Sequence, residues 1–163
     1  TTGWADKLEE IKEMALSRGG SFLYASNFSI GVNIMFKLNK RLASIMNGLP
    51  SYEALIHEIH HIMKKDAPSG TAISLADDII EACEGYRSWH KDQGGAADSL
   101  AVLSTREGQV PGTHKVEWKS DIDSISLEHR AHSRKGFALG AVFAAEFIKG
   151  RKGVFTMSDV LGF

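Results

Sequence analysis

Two helix breakers, Pro68 and Gly70, stand in the stretch "DAPSG" at residues 66–70 and constrain the fold more than any other feature of this chain. After them, Ala72, Leu75, Ala76, Ile79, Ile80 and Cys83 recur at the spacing of one helical face, which ends at Gly85. Ser69 suits the N-cap of that helix, or Thr71 if it starts later. Before the breakers runs "YEALIHEIH", residues 52–60, which reads two ways. Leu55, Ile59 and Ile62 suit a helix, whereas Tyr52, Ala54 and Ile56 suit one face of a strand. Periodicity alone leaves both open.

The flanking sequence supplies elements of both kinds. Residues 4–18 read as a helix through Leu8, Ile11, Ala15 and Leu16, stopped by Gly19 and Gly20. "SFLYA" reads as a short strand and "SNFSIG" as a loop. Residues 32–48 read as a helix with Ile34, Leu38, Leu42 and Ile45 on one face, closed by Asn47-Gly48 with Pro50 beyond. Residues 86–99 are polar and glycine-bearing, so a loop is expected. "LAVLSTR", "HKVEWKS" and "SISLEHRAH" read as three strands in an antiparallel run, the last with Ile125, Leu127 and His129 on one face. "KGFALGAVFAAEFIKGRKG" reads as an alanine-rich helix, and the tail as a short strand and a turn capped at Ser158. The expected class is α+β: a mixed, mainly antiparallel sheet with packed helices.

Bulk properties narrow the function. The 163 residues suffice for one domain with a real core, and 43% hydrophobic with 24% charged residues is ordinary for a globular protein. A formal net charge of -1 gives no global electrostatic case for nucleic acid or an anionic membrane. No apolar run approaches the ~20 residues of a membrane span. The single cysteine, Cys83, fits a reducing compartment, so a cytoplasmic location is expected.

The titratable residues of "HEIHHIMKKDAPSGTA", 57–72, support two chemistries. His57-Glu58-Ile59-His60-His61 fits H-E-x-x-H, which binds zinc when it lies on a helix, because histidines four apart then share a face. A third ligand is required, and Glu81 on the next helix is a candidate. The plainer reading of His57 is a surface or strand-edge residue. The second chemistry is acid–base and anionic. A histidine pair and Lys64 run into a helix start whose first amides lack partners and whose dipole favours anions. A carboxylate or phosphate ligand that gains or loses a proton would suit it. A capped helix behind a solvated basic loop explains the same residues.

"EIHHIMKKDAPSGTA" closely resembles the signature of the 4-hydroxy-tetrahydrodipicolinate (dihydrodipicolinate) reductase family of bacterial lysine and diaminopimelate synthesis. The family pattern is E-x-H-H-x-x-K-x-D-A-P-S-G-T-A, and every fixed position is met. "TTGW", "ASNFSIGVN" and "EHRAHSRKGFALGAV" also look like family segments, so the resemblance covers essentially the whole chain. It implies an oxidoreductase using NADPH or NADH on a cyclic dicarboxylate. His60 would match the catalytic acid/base and Lys64 a second proton donor that also pairs with substrate. His61, Gly70, Thr71 and Arg134 would match substrate contacts. Thr1 and Thr2, with Ala25, Ser26, Asn27 and Phe28, would match two cofactor-contacting loops. A homotetramer is implied as well, with no metal in the site.

One departure bears on activity. No G-x-G-x-x-G occurs among the 163 residues, so the phosphate loop of a dinucleotide-binding fold is missing from them. On this reading residues 1–27 are the end of a Rossmann-type dinucleotide-binding domain. Residues 28–150 form the substrate-binding and oligomerisation domain, and 151–163 return to the nucleotide domain. The chain is then expected to be the later part of a longer protein and weakly active or inactive alone. Zinc hydrolysis through His57, Glu58 and His61, or a non-catalytic dicarboxylate-binding or oligomerising module, are the rival functions.

Overall fold

The computed structural model describes residues 4–92 and 94–163. They form two compact units, one of residues up to Ile30 together with Lys135–Phe163, the other of Gly31–Arg134.

The unit of residues 31–134 is a mixed sheet under two helices. Helix α2 spans Ile30–Met46, β2 Glu53–His60 and α3 Gly70–Ala82. Four more strands follow: β3 Ser88–Lys91, β4 Ser99–Arg106, β5 Thr113–Lys119 and β6 Ser124–Arg130. The sheet order is β3-β4-β2-β5-β6. The ambiguous segment 52–60 is a strand, and its burial alternates residue by residue. Ala54, Ile56, Glu58 and His60 face inward, while Leu55, His57 and Ile59 are half-buried on the other side. A strand resolves the conflict because its period of two buries Ala54 and Ile56 together under α3. Ile56 then packs with Leu75 and Ile79 of α3, Leu100 and Val102 of β4, and Val116 and Trp118 of β5. All are essentially inaccessible, and each such large side chain stabilises the fold by about 1.5–3 kcal/mol.

Three expectations need correction here. Residues 86–99 are not all loop, because Ser88–Lys91 pairs in parallel with β4. That edge strand is short and polar, and its pairing comes from its neighbour rather than from its own pattern. The strands of 100–130 are not an antiparallel run either. β2 inserts between β4 and β5, pairing parallel with the first and antiparallel with the second. Only β5 and β6 form the expected antiparallel pair. Finally, the tail helix is capped two residues earlier than Ser158, as described below.

The other unit holds a 3-10 turn, Ala5–Lys7, helix α1 Leu8–Ser17 and strand β1 Ser21–Leu23. It also holds helix α4 Lys135–Ile148, strand β7 Gly153–Phe155 and helix α5 Met157–Leu161. β1 and β7 pair in parallel, Phe22 opposite Val154. Thr156 begins α5, and Asp159 reaches back to accept from its amide at 2.7 Å, which makes Thr156 and not Ser158 the cap. α4 stops at Ile148, short of the expected end, as Gly150 takes a positive φ of 75°. Gly140 of α4 lies under the turn before α2, where any Cβ would fall inside the shell of the Phe28 carbonyl.

That close approach gives a test. Gly140→Ala gains about 1 kcal/mol of helix propensity but overpacks against backbone that has little room to shift, a cost of about 1–3 kcal/mol or more. The clash is expected to win, so thermal unfolding should begin several degrees lower; an unchanged or raised Tm would refute the packing.

Candidate functional site

The sequence-predicted residues His60, His61, Lys64, Gly70, Thr71 and Arg134 all lie in the unit of residues 31–134. The first five line one turn of chain, from the end of β2 to the start of α3. His60 is the last residue of β2, on the face that looks toward the core, and is 8% exposed. Its Nδ1 bonds to Oε2 of Glu58, two residues back on the same face. Glu58 is fully buried. Its other oxygen, Oε1, lies 2.9 Å from Nη2 of Arg106, an ion pair without the alignment of a good hydrogen bond. Burial pushes the Glu58 carboxyl up, but bonding to His60, Ser104 and Arg106 outweighs it and the pKa falls to about 2.

Arg106, the last residue of β4, also fixes the turn that carries Lys64. Its Nε donates to the Lys64 carbonyl at 3.3 Å and its Nη2 to the Asp66 carbonyl at 2.6 Å. Nη1 donates to the carbonyl of Thr105 at 2.8 Å. The Lys64 ammonium itself meets both oxygens of Asp66, at 2.8 and 2.7 Å, and holds that carboxyl below its ordinary value. The turn thus holds a cation paired with an anion of its own, the exposed Asp66.

On the far side of the turn, Ser69 is the N-cap of α3, accepting from the Ala72 amide at 3.2 Å. Its hydroxyl also meets Nε2 of His114 at 3.1 Å. Gly70 and Thr71 occupy the first turn, where amides have no acceptor within the helix. A side chain at Gly70 would meet nothing within 4 Å, so its backbone is open to approach. His114 stands edge-on to His60, with ring centroids 5.0 Å apart. Its pKa is pushed down to about 3, chiefly by burial and then by the charge of His60. Arg134 reaches His61, its Nη2 3.1 Å from His61 Nε2. Burial, then Arg134, lowers the His61 pKa, which suits a neutral ring accepting from the guanidinium.

The zinc reading of H-E-x-x-H does not survive the strand. Residues four apart in a strand lie ~13 Å apart, and Glu58 faces away from His57. His57 Nε2 instead meets Thr105 Oγ1 at 2.8 Å. Glu81, the suggested third ligand, pairs with Lys40 at 2.7 Å. A different trio, Glu58, His60 and His114, brings ligand atoms within 4.8 Å of one another. The guanidinium of Arg106 already holds that carboxylate, so a second cation there would be repelled.

Of the residues expected at the cofactor, Ala25–Phe28 form the turn after β1, in the other unit. Asn27 Oδ1 accepts from the Ser29 amide at 2.8 Å and shapes that turn. Thr1 and Thr2 lie outside the described residues. Sequence reasoning found Ser69 as the cap of α3 but missed its contact with His114 and the supporting roles of Glu58, Arg106 and His114. The signal for Glu58 was its two-residue offset from His60, legible once 53–60 is a strand. Nothing local marked Arg106 or His114, which come from other strands.

The family model described as "Dihydrodipicolinate reductase, C-terminus" matches residues 31–161. A 4-hydroxy-tetrahydrodipicolinate reductase of Christiangramia forsetii is 49% identical over 161 residues, which is 99% of this chain and 67% of that protein. One of Aquifex aeolicus is 42% identical over 99% of this chain and 62% of its own length. Among solved structures, a dipicolinate-bound dihydrodipicolinate reductase from Paenisporosarcina sp. TG-14 is similar with a TM-score of 0.75. It covers 98% of this chain and 62% of that one; at 24% identity it speaks to the fold alone.

The electrostatics set a pH dependence. His114 stays neutral in the fold to about pH 3, whereas in the unfolded chain it takes a proton below about 6.5. The unfolded state therefore binds more protons across that window, and stability is full above it and falls as the pH drops. Glu58 adds a loss that starts lower, between its ordinary 4.5 and about 2. Denaturant melts should show the native chain weaker at pH 5 than at pH 7, with a shallower difference in His114→Asn. Equal slopes in the two proteins would contradict a neutral buried His114.

Proposed function

The chain belongs to the dihydrodipicolinate reductase family, and from that premise we propose that it carries the substrate site of an enzyme of lysine and diaminopimelate synthesis. The reaction is reduction of 4-hydroxy-tetrahydrodipicolinate to tetrahydrodipicolinate with loss of water. The observation that carries the reading is the turn between β2 and α3. There a histidine held by a buried carboxylate stands at the head of a cationic loop that leads into a helix N-terminus.

Each part has work in that reaction. The Lys64 ammonium pairs with one substrate carboxylate, for which Asp66 competes in the free protein. The Gly70 amide and the Thr71 amide and hydroxyl receive the other carboxylate, where the dipole of α3 also favours negative charge. His61 and Arg134 add a further polar contact at the rim. His60 moves the proton that accompanies reduction, with Lys64 as second donor. Fixing a rigid dicarboxylate at both ends orients the carbon that is reduced.

A nicotinamide cofactor, NADPH or NADH, supplies the hydride when bound. Ala25, Ser26, Asn27 and Phe28, with Thr1 and Thr2, are the residues proposed to touch it. The turn 25–28 follows the carboxyl end of β1 in the parallel pair β1–β7, the end at which open α/β sheets take ligands, so its position fits the group. Segments 1–27 and 151–163 are accordingly assigned to the nucleotide side. The chain spans 67% and 62% of the two relatives, and its 163 residues hold no G-x-G-x-x-G. Turnover by this chain alone is therefore expected to be weak. No described helix is long and apolar enough to cross a membrane. A cytoplasmic homotetramer is the expected setting; the exposed Ile125 on edge strand β6 and Ile122 before it leave apolar surface for a further copy.

Calorimetric titration with pyridine-2,6-dicarboxylate tests the site, in metal-free buffer because this ligand chelates. The native chain should bind it, and Lys64→Ala should bind at least about tenfold more weakly, as expected for loss of a charge-assisted contact. Failure of the native chain to bind, or equal binding by Lys64→Ala, would remove the support for a dicarboxylate site at this turn.

A further inference from the structure

We infer that Glu58 is the positioning residue for His60: it holds the imidazole as the Nδ1–H tautomer, so that every proton His60 exchanges passes through Nε2. The inference rests on the acid–base role proposed for His60 and adds to it the residue that decides which ring nitrogen does the work.

Three observations converge on it. First, Glu58 and His60 share the inward face of β2, and Oε2 of Glu58 bonds to Nδ1 of His60 at a place where neither has bulk water to turn to. Second, the other carboxylate oxygen is occupied. Arg106 lies 2.9 Å from Oε1, and that guanidinium is itself tied to the carbonyls of Thr105, Lys64 and Asp66. A guanidinium is always charged, so its partner stays ionised and accepts hydrogen bonds only. Nδ1 must therefore be the donor. Third, the residue that approaches Nε2 on the opposite side of the ring has no side chain to cover it. Gly112 has a φ of 154° and no side chain, and a Cβ there would stand 3.0 Å from His60 Nε2.

The neighbouring ring does not take over this role. His114 is neutral, and its Nε2 is engaged by Ser69. The proton balance follows directly. Neutral His60 carries its hydrogen on Nδ1 and a lone pair on Nε2. Accepting a proton from substrate or solvent at Nε2 gives the imidazolium, whose Nδ1–H still donates to Glu58. Giving that proton back to substrate restores the starting state, and Glu58 remains ionised throughout. Glu58 touches no reacting atom; it acts through His60.

Long-range 1H–15N correlation spectra of the 163-residue chain read the tautomer without any turnover. Native His60 is expected to be Nδ1–H. In Glu58→Gln the carboxamide keeps its size and an oxygen for Arg106, but turns an NH2 toward Nδ1, which must then accept. The population should invert to Nε2–H by about tenfold, the cost of leaving a buried donor without an acceptor. A merely structural carboxylate would not move this readout. An Nε2–H tautomer in the native chain, or no inversion in Glu58→Gln, overturns the inference. If Glu58→Gln does not fold, the native spectrum decides alone, Nδ1–H supporting and Nε2–H refuting. Titrating pyridine-2,6-dicarboxylate into native samples separates the two levels. Loss of ligand binding with the tautomers as expected would sink the functional reading and leave the positioning role standing.

Discussion

The structure of the site depends on one buried charge. Glu58 has no exposed surface, and a carboxylate so placed is costly unless it is paired and hydrogen-bonded. Here the partners outweigh the burial, since the net effect is a pKa of about 2 rather than a raised one. The same partners connect three segments. Arg106 brings the end of β4 to the carboxylate and staples the turn at Lys64 and Asp66, while His60 fixes the end of β2. Losing one member of such a set leaves an uncompensated buried charge, an effect of about 3–5 kcal/mol. Stability and the orientation of the His60 ring are thus set by the same atoms.

The sheet register shows how the site and the core divide the fold. One row across the sheet is apolar, with Val102, Ile56, Val116 and Leu127 side by side. The row two residues along is polar: Ser104, Glu58, His114 and His129. Four atoms of the polar row, Ser104 Oγ, Glu58 Oε1, His114 Nδ1 and His129 Nδ1, are buried without a well-formed hydrogen bond among the described residues. Such groups weaken a core, and their place at the end of the sheet that holds His60 fits a region kept for chemistry rather than for packing. The pH sensitivity of the fold has the same origin, because a neutral buried imidazole resists acid less well than an apolar side chain would.

What the sequence made legible follows from where the information lies. Local signals located α3 and its Ser69 cap, because a stripe of apolar residues and a hydroxyl before a glycine are local facts. The strand 53–60 was half legible, through Ala54 and Ile56. Beyond Ile56 the alternation continues in Glu58 and His60, and a hydrophobicity pattern does not count buried polar residues. Strand order was not legible. The insertion of β2 between β4 and β5 depends on pairing across about fifty residues, and the polar edge strand β3 exists only through its neighbour. Resemblance points to the candidate site residues; only the pairing of distant strands brings Arg106 and His114 beside them.

The history of one motif shows why the period of the backbone decides the chemistry. Read at 3.6 residues per turn, His57 and His61 share a face and suggest zinc. Read at two per repeat, Glu58 and His60 share the inward face, His57 turns away to Thr105, and the metal pair no longer exists. A carboxylate and two imidazoles still meet, since His114 joins from β5, yet a guanidinium occupies the position a metal would need to share. A cation fixed on Oε1 leaves Oε2 one task, to accept from Nδ1. On the function proposed above, Arg106 acts at two removes: it keeps Glu58 ionised, which keeps Nδ1 of His60 protonated, which leaves Nε2 as the nitrogen for proton exchange.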